Sequence, residues 1–347
     1  MKVVMLSKHG CMRVMKMALP LMEKGHEVHL IVGNLTNYSE CFKTVTVFQD
    51  VNQLYNAIKL HKDADIFHAH NEPSWFVTVA KETFPKKPVV LDVHDSFLLR
   101  RSPNEELETK KSFRVSVDER NNFQLADGLV YVGPAMKEIV HNEFKLDQPN
   151  IILPSYVPER FNRIDFLQWI GGLVYEGRID FPGELPKEWD VFGYSTYIKL
   201  AEKCKELEID FHIYTPRKNK KAREIYNKVC YLAPEPLGFY KLIRNLGCHD
   251  WGLVGNIDYH EEWKHALPNK LFEYISGCVP IVSINADESS KVIEEHDIGI
   301  TVGSMEELSE RWPEHREKRK NLIKKRHLFA MEAHIGKLEK LYRELLG

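Results

Sequence analysis

The chain has 347 residues, 43% hydrophobic, 28% charged and 11% aromatic, with no biased tract, so it is expected to fold throughout and to divide most simply into two α/β domains of roughly 150 residues each. Lys and Arg number 48 against 50 Asp and Glu, a formal net charge of -2, which leaves no global electrostatic case for nucleic acid. The six cysteines, Cys11, Cys41, Cys204, Cys230, Cys248 and Cys278, include no CxxC pair, so reduced thiols are expected rather than a zinc knuckle or a disulfide framework.

Met1-Lys2 runs straight into Val3-Val4-Met5-Leu6, an apolar stretch too short for a signal peptide, and no later run is long enough to span a bilayer. A cytoplasmic protein is the expectation. Lys2 to Leu6 reads as a strand, Met12 to Lys24 as a helix and Glu27 to Val32 as the next strand, a βαβ unit. Further strands are predicted at Thr44 to Phe48, Asp65 to Ala69, Pro88 to Val93, Gly128 to Val132 and Asn150 to Leu153, with helices between most of them. Alternation on this scale implies a parallel sheet covered by helices on both faces.

Pro154-Ser155-Tyr156-Val157-Pro158 is an extended connector, because each proline disfavours helix in the residue before it. The N-terminal domain is placed at 1–155 and a linker at 156–168. A second alternating series occupies 169–326, with strands predicted at Trp169 to Tyr175, Phe211 to Tyr214, Trp251 to Val254, Val279 to Ser283 and Gly299 to Val302. Met305 to Leu346 is helical in pattern, and its end, 327–347, is a C-terminal helix able to pack back on the N-terminal domain. Arg316, Lys318, Arg319, Lys320, Lys324, Lys325 and Arg326 crowd this stretch. They read either as a solvated face or as a site for anionic headgroups.

In open parallel sheets ligands bind beyond the carboxyl ends of the strands. After the first strand comes Ser7-Lys8-His9-Gly10-Cys11, where Gly10 allows close backbone approach and the following helix offers amides to phosphate. His68-Ala69-His70 and Asp92-Val93-His94-Asp95 gather imidazoles and carboxylates at one sheet edge, and His94 is well placed to meet a sugar hydroxyl or move a proton. His68 and His70 alternate on one strand and could instead share a metal, but no metal site is assigned. Asp63-Ala64-Asp65 imitates a metal-binding DxD, at the wrong end of a strand to serve as one.

The most specific segment runs from His265 to Val282. Pro268 suits a first helical turn whose free amides would face a diphosphate, Asn269 and Lys270 share that turn, and Lys270 adds a cation. Glu273, one turn on, can accept two hydroxyl hydrogen bonds from a ribose. Gly277 ends the helix, and Val279 to Val282 returns as a buried strand.

With these pieces in order, the sequence resembles GT-B fold retaining glycosyltransferases, the family 4-like, group 1 type that includes sucrose-phosphate synthases and bacterial polysaccharide and lipid-sugar transferases. The match is carried by Pro268-Asn269-Lys270-Leu271-Phe272-Glu273-Tyr274, and is extended by Lys24 to Val28, Asp65 to His70, Val89 to Asp95 and Val174-Tyr175-Glu176-Gly177-Arg178. The resemblance implies two doubly wound Rossmann-like domains facing each other across a donor/acceptor cleft, the first taking the acceptor and the second the sugar-nucleotide donor.

It also implies roles. Glu273 matches the second glutamate of the E-x7-E motif, which holds the donor ribose, while His265 stands where the first glutamate is expected and could bind a sugar hydroxyl in its place; Glu261 or Glu262 could substitute. Arg178 matches the arginine that neutralises the diphosphate, and Lys270, or Lys187, would supply the second cation. Gly10 matches the N-domain loop beside the diphosphate, and His94 the histidine beside the transferred sugar, the catalytic-site residue. Transfer would proceed with retention, without protein nucleophile or required cofactor, from a UDP-sugar or a GDP-sugar to a glycan, lipid-linked or small hydroxyl acceptor in polysaccharide biosynthesis. A sugar-nucleotide epimerase of the same fold and a non-catalytic partner subunit are the alternatives. Arg100-Arg101, Lys110-Lys111 and the C-terminal basic cluster leave room for peripheral association with the inner face of a membrane.

Overall fold

A computed structural model of the protein describes residues 1–34, 38–71, 73–100, 110–162, 169–180, 196–216, 220–258 and 261–347. The chain forms two compact units, Met1–Pro158 together with Met331–Gly347, and Glu159–Ala330.

In the first unit seven strands, β1 (Lys2–His9), β2 (Glu27–Asn34), β3 (Thr44–Val47), β4 (Ile66–His70), β5 (Val89–Val93), β6 (Gly128–Tyr131) and β7 (Asn150–Ile152), pair in parallel in the order β3-β2-β1-β4-β5-β6-β7. Val3 to Leu6, Val89 to Val93 and Gly128 to Tyr131 are all buried, as expected of strands covered on both faces. Within the central pair β4 and β5, the polar exceptions are His68, His70 and Asp92, and register sets His70 beside Asp92. The strand order reverses between β1 and β4, which opens the crevice at their carboxyl ends.

Helix Met331–Leu346 belongs to this unit. It leans on β6, where a Cβ at Gly128 would stand 2.9 Å from Leu345 Cδ1. Tyr342 Oη lies 2.6 Å from His68 Nδ1, and Glu339 pairs with Lys24 and His26 at 2.8 and 2.7 Å.

The second unit carries β8 (Leu173–Glu176), β9 (Phe211–Tyr214), β10 (Tyr231–Leu232), β11 (Trp251–Gly255), β12 (Ile281–Ile284) and β13 (Gly299–Thr301), parallel in the order β10-β9-β8-β11-β12-β13. Its switch point lies between β8 and β11. Three local expectations change. β8 begins at Leu173 rather than Trp169 because Gly171 and Gly172 take φ of +81° and +76°, outside any strand conformation. β10 spans two residues, too few for a periodic signal. The helical stretch from Met305 is broken, into Met305–Glu310, His315–Lys325 and Met331–Leu346, with 3-10 turns Trp312–Glu314 and Arg326–Phe329 between; Pro313 cannot continue the preceding helix.

Candidate functional site

In the first unit a buried polar network sits at the carboxyl edge of the sheet. Gly10 links β1 to helix Met12–Glu23, and the first turn of that helix carries Arg13, wholly buried. Arg13 donates to Asp92 through Nε (2.8 and 3.0 Å to the two oxygens) and Nη2 (2.6 Å to Oδ1), and also to Ser155 Oγ and Leu153 O at 3.0 and 2.8 Å. Asp92 Oδ2 stands 3.1 Å from His70 Nδ1 and 3.0 Å from His94 Nδ1. The His94 backbone N–H donates to Asn71 Oδ1 at 3.0 Å. Gly10 and His94 therefore meet the same network, one through the helix it introduces and the other directly.

Burial alone would raise the Asp92 pKa, but the Arg13 charge and the two imidazole contacts outweigh it and hold the carboxyl well below its usual range. Burial lowers the pKa of His70 and takes that of His68 well below the ordinary imidazole value, so both rings are neutral. His68 and His70 stack at 4.5 Å, and with Asp92 they bring potential metal ligands within 4.8 Å of one another. Both Asp92 oxygens are already engaged by the Arg13 guanidinium, which explains the cluster as a hydrogen-bonded network.

Beside this network, at the ends of β1 and β4, a cavity of about 650 Å³ is lined by Lys8, His9, Trp75, Thr78, Asp118 and Asn122, among others. Trp75 is 38% exposed.

In the second unit Arg178 follows β8, and Lys270 and Glu273 lie on helix Asn269–Ser276. Helix Asn269–Ser276 starts after Pro268, which caps it in an extended conformation (φ -72°, ψ 155°) instead of entering its first turn. Lys270 is 9% exposed. Its ammonium lies 4.6 Å from the centre of the Tyr175 ring and 4.9 Å from that of Trp263, two cation–π contacts, and 3.4 Å from Tyr175 Oη. Tyr175 Oη also donates to Arg178 O at 2.9 Å, so one tyrosine links the Lys270 ammonium to the backbone of Arg178. Between them Gly177 adopts φ +134°, and a Cβ there would stand 3.5 Å from Lys270 Nζ and 3.1 Å from Tyr175 Oη. A bare backbone in a glycine-only conformation keeps this corner open.

Arg178 is half exposed; Asp180, buried, holds its Nε at 3.1 Å, leaving both terminal nitrogens without a partner among the described residues. Glu273 is 3% exposed, so it is no solvent-facing helix acid. Asn269 and His265 are partly buried, His265 closing the short helix Glu261–His265. Lys187 and Arg101 lie outside the described residues, as do the side chains of Glu261, Glu262, Arg100, Lys110 and Lys111.

Four of the seven C-terminal basic residues are used inside the second unit. Lys318 pairs with Asp297, Lys325 donates to His296 O, Arg326 to Asn162 O, and Arg319 to Gly247 O and His249 O with its guanidinium over the Trp169 ring. Arg316, Lys320 and Lys324 remain exposed, a single i, i+4, i+8 ridge. Asp63 and Asp65 are engaged at the amino edge of the first sheet by Lys2, away from any ligand crevice. Among the described residues no helix is long and apolar enough to cross a membrane.

Sequence reading missed Arg13, Tyr175 and Trp263 as parts of these sites. Two signals were present: a lone arginine among Val14, Met15, Met17 and Ala18, and an acid inside the apolar run Val89-Val90-Leu91-Asp92-Val93. Each demands a buried partner.

Residues 12–155 match the family model described as Glycosyltransferase Family 4, and residues 192–333 that described as Glucosyltransferase 3-like, C-terminal domain. No curated protein sequence matches the chain. Among solved structures, sucrose-phosphate synthase from Thermosynechococcus elongatus is similar at a TM-score of 0.74 and 11% identity, covering 99% of this chain and 98% of that one. Anabaena HepE in complex with UDP and glucose gives 0.66 and 11% over 99% and 100%. WaaG, a glycosyltransferase of lipopolysaccharide biosynthesis, gives 0.64 and 15% over 97% and 98%. At these identities the solved structures establish the shared architecture, two Rossmann-like units of parallel sheet and helices. Together with the two family models they show that the chain belongs to the GT-B glycosyltransferases of group 1 type.

Proposed function

We propose that the protein transfers a sugar from a UDP-sugar to a hydroxyl acceptor with retention at the anomeric carbon. The observation that carries this reading is the joining of Lys270 and Arg178 through Tyr175 at the carboxyl end of β8, beside the bare backbone of Gly177 and at the start of helix Asn269–Ser276. Two cations and a helix N-terminus suit a diphosphate leaving group, and Glu273, one turn further, suits the ribose diol. UDP is preferred as the donor nucleotide because HepE, similar in fold, was solved with it.

In the proposed step the acceptor oxygen bonds to the anomeric carbon as the bond to the phosphate oxygen breaks. The acceptor proton passes to a departing phosphate oxygen on the same face, and UDP leaves. Arg178 and Lys270 stabilise the charge that builds on the diphosphate, and His94 meets the transferred sugar. The first unit takes the acceptor, in the cavity lined by Trp75, Lys8 and Asp118, where an aromatic face amid polar groups suits a saccharide. His265 replaces the family's first glutamate at the donor sugar, and Asn269 and Gly10 complete the donor contacts.

Calorimetric titration with UDP-, GDP- and ADP-glucose tests the reading. UDP-glucose is expected to bind most tightly, and Glu273→Ala and Arg178→Ala each to weaken it by roughly 10- to 100-fold, the loss of one charge-assisted hydrogen bond. Unchanged affinity in both variants would reject the site. Product analysis with donor alone separates transfer from epimerisation, since only an epimerase converts the sugar nucleotide without an acceptor.

A further inference from the structure

We propose that Asp92, gripped by Arg13, is a positioning residue for His94: it fixes the His94 ring as the Nδ1–H tautomer, so that Nε2 is presented as a hydrogen-bond acceptor. This rests on the role proposed for His94.

Asp92 is fully buried in a central strand, where a carboxylate is costly unless its charge and lone pairs are matched. It is matched several times over. Arg13 reaches both oxygens, and Oδ2 also receives His70 Nδ1 and His94 Nδ1 at 3.1 and 3.0 Å. An ionised carboxylate only accepts hydrogen bonds, so each imidazole nitrogen that touches it carries the proton. With Nδ1–H committed to Asp92, Nε2 is the His94 nitrogen left to face a ligand.

A second carboxylate contests this arrangement. Asp95 Oδ2 lies 3.9 Å from His94 Nε2, and would favour the opposite tautomer if nothing held Nδ1–H. The shorter contact to Asp92 decides the competition, and the backbone bond from His94 N–H to Asn71 holds the residue in place. Among the described residues, the charged and titratable groups around the ring include Asp92, Asp95, Arg13, His70 and His68. The Asp92 contact orients the imidazole. His94 is thereby a directional acceptor for a sugar hydroxyl. It need not be a strong base, which agrees with transfer in which the acceptor proton goes to the leaving phosphate.

The protein, labelled with 15N-histidine, gives the test. His94 resonances, assigned by their loss in His94→Gln, should show the Nδ1–H pattern at pH 7.5. Asp92→Asn can turn its amide N–H toward His94 Nδ1 and its carbonyl toward Arg13, which should invert the pattern. The charge-balanced pair Arg13→Gln with Asp92→Asn keeps the test available if the single variant fails to fold. Either variant should lower UDP release from UDP-glucose by about 100-fold or more, in the direction of the roughly 10⁴-fold loss that follows when a catalytic histidine loses its orienting carboxylate, while the calorimetric affinity for UDP stays within about threefold. A wild-type ring protonated at Nε2, or an Asp92→Asn tautomer unchanged while turnover falls, overturns the positioning role. Wild-type UDP release by His94→Gln would instead remove the reading of His94 itself, whatever the tautomer.

Discussion

Tyr274 fills the space over Gly252: a Cβ at residue 252 would stand 2.6 Å from the ring Cγ and 2.8 Å from both Cδ atoms. Its hydroxyl accepts the Glu176 N–H at 3.0 Å and faces Leu253 O and Val174 O at 3.2 and 3.3 Å. One residue therefore pins the helix that carries Lys270 and Glu273 to β8 and β11, so the candidate donor site inherits the rigidity of the sheet.

Gly252→Ala forces the ring out of this position and should cost about 1–3 kcal/mol, the usual penalty of overpacking. Tyr274→Phe keeps the ring but strands the buried Glu176 N–H, and should cost about 1–3 kcal/mol. Urea unfolding measures both; wild-type stability in either variant would count against the pinning.

Lys270→Met retains the aliphatic stem between Tyr175 and Trp263 and removes the ammonium. We expect stability to change by less than about 1.5 kcal/mol, as for swaps that conserve volume, and UDP affinity to fall at least about tenfold. An unaltered affinity would place the diphosphate elsewhere.

In the proposed site Arg178 and Lys270 supply the positive charge for the leaving group, so UDP release from UDP-glucose should be the same within about twofold in EDTA and in millimolar Mg²⁺. A large stimulation by Mg²⁺ would assign that charge to a cation instead.

His249 is buried, its Nδ1 2.6 Å from Gly171 O and its Nε2 3.2 Å from Tyr214 Oη. Burial lowers its pKa to about 4, below the unfolded value of about 6.5. The neutral ring contributes stability that is complete above the unfolded value and is lost as pH falls from there toward about 4, because the unfolded chain binds the extra proton. The contribution is on the order of 3 kcal/mol at most. Comparing urea midpoints at pH 7.5 and 5, His249→Gln should be weaker than wild type at pH 7.5 yet show a shallower fall on acidification. An equal fall would show that other groups govern the slope.

Much of the scaffold was legible in the sequence because strand and helix patterns are local. Val3 to Leu6 and Val89 to Val93 announce themselves as buried strands, and Pro268 to Gly277 carries its own helix start and stop. Less legible were the two-residue β10 and the late start of β8, where a short element or a glycine pair offers no periodicity. Half of the candidate donor site could be read in the same way. Lys270 and Glu273 share one helix, but the tyrosine that joins Lys270 to Arg178 comes from a strand 95 residues away.

The sequence by itself therefore determined the alternation of strands and helices, the two parallel sheets and the segments that bring cations and carboxylates to their carboxyl ends. Only the tertiary structure decided what each charged side chain does there. Arg13 meets Asp92 across 79 residues, Glu273 turns inward, and four members of the C-terminal basic cluster are consumed by carbonyls and a carboxylate of their own unit. Periodicity records which side of an element is apolar, whereas the partner of a buried charge comes from whichever distant segment the sheet order places beside it.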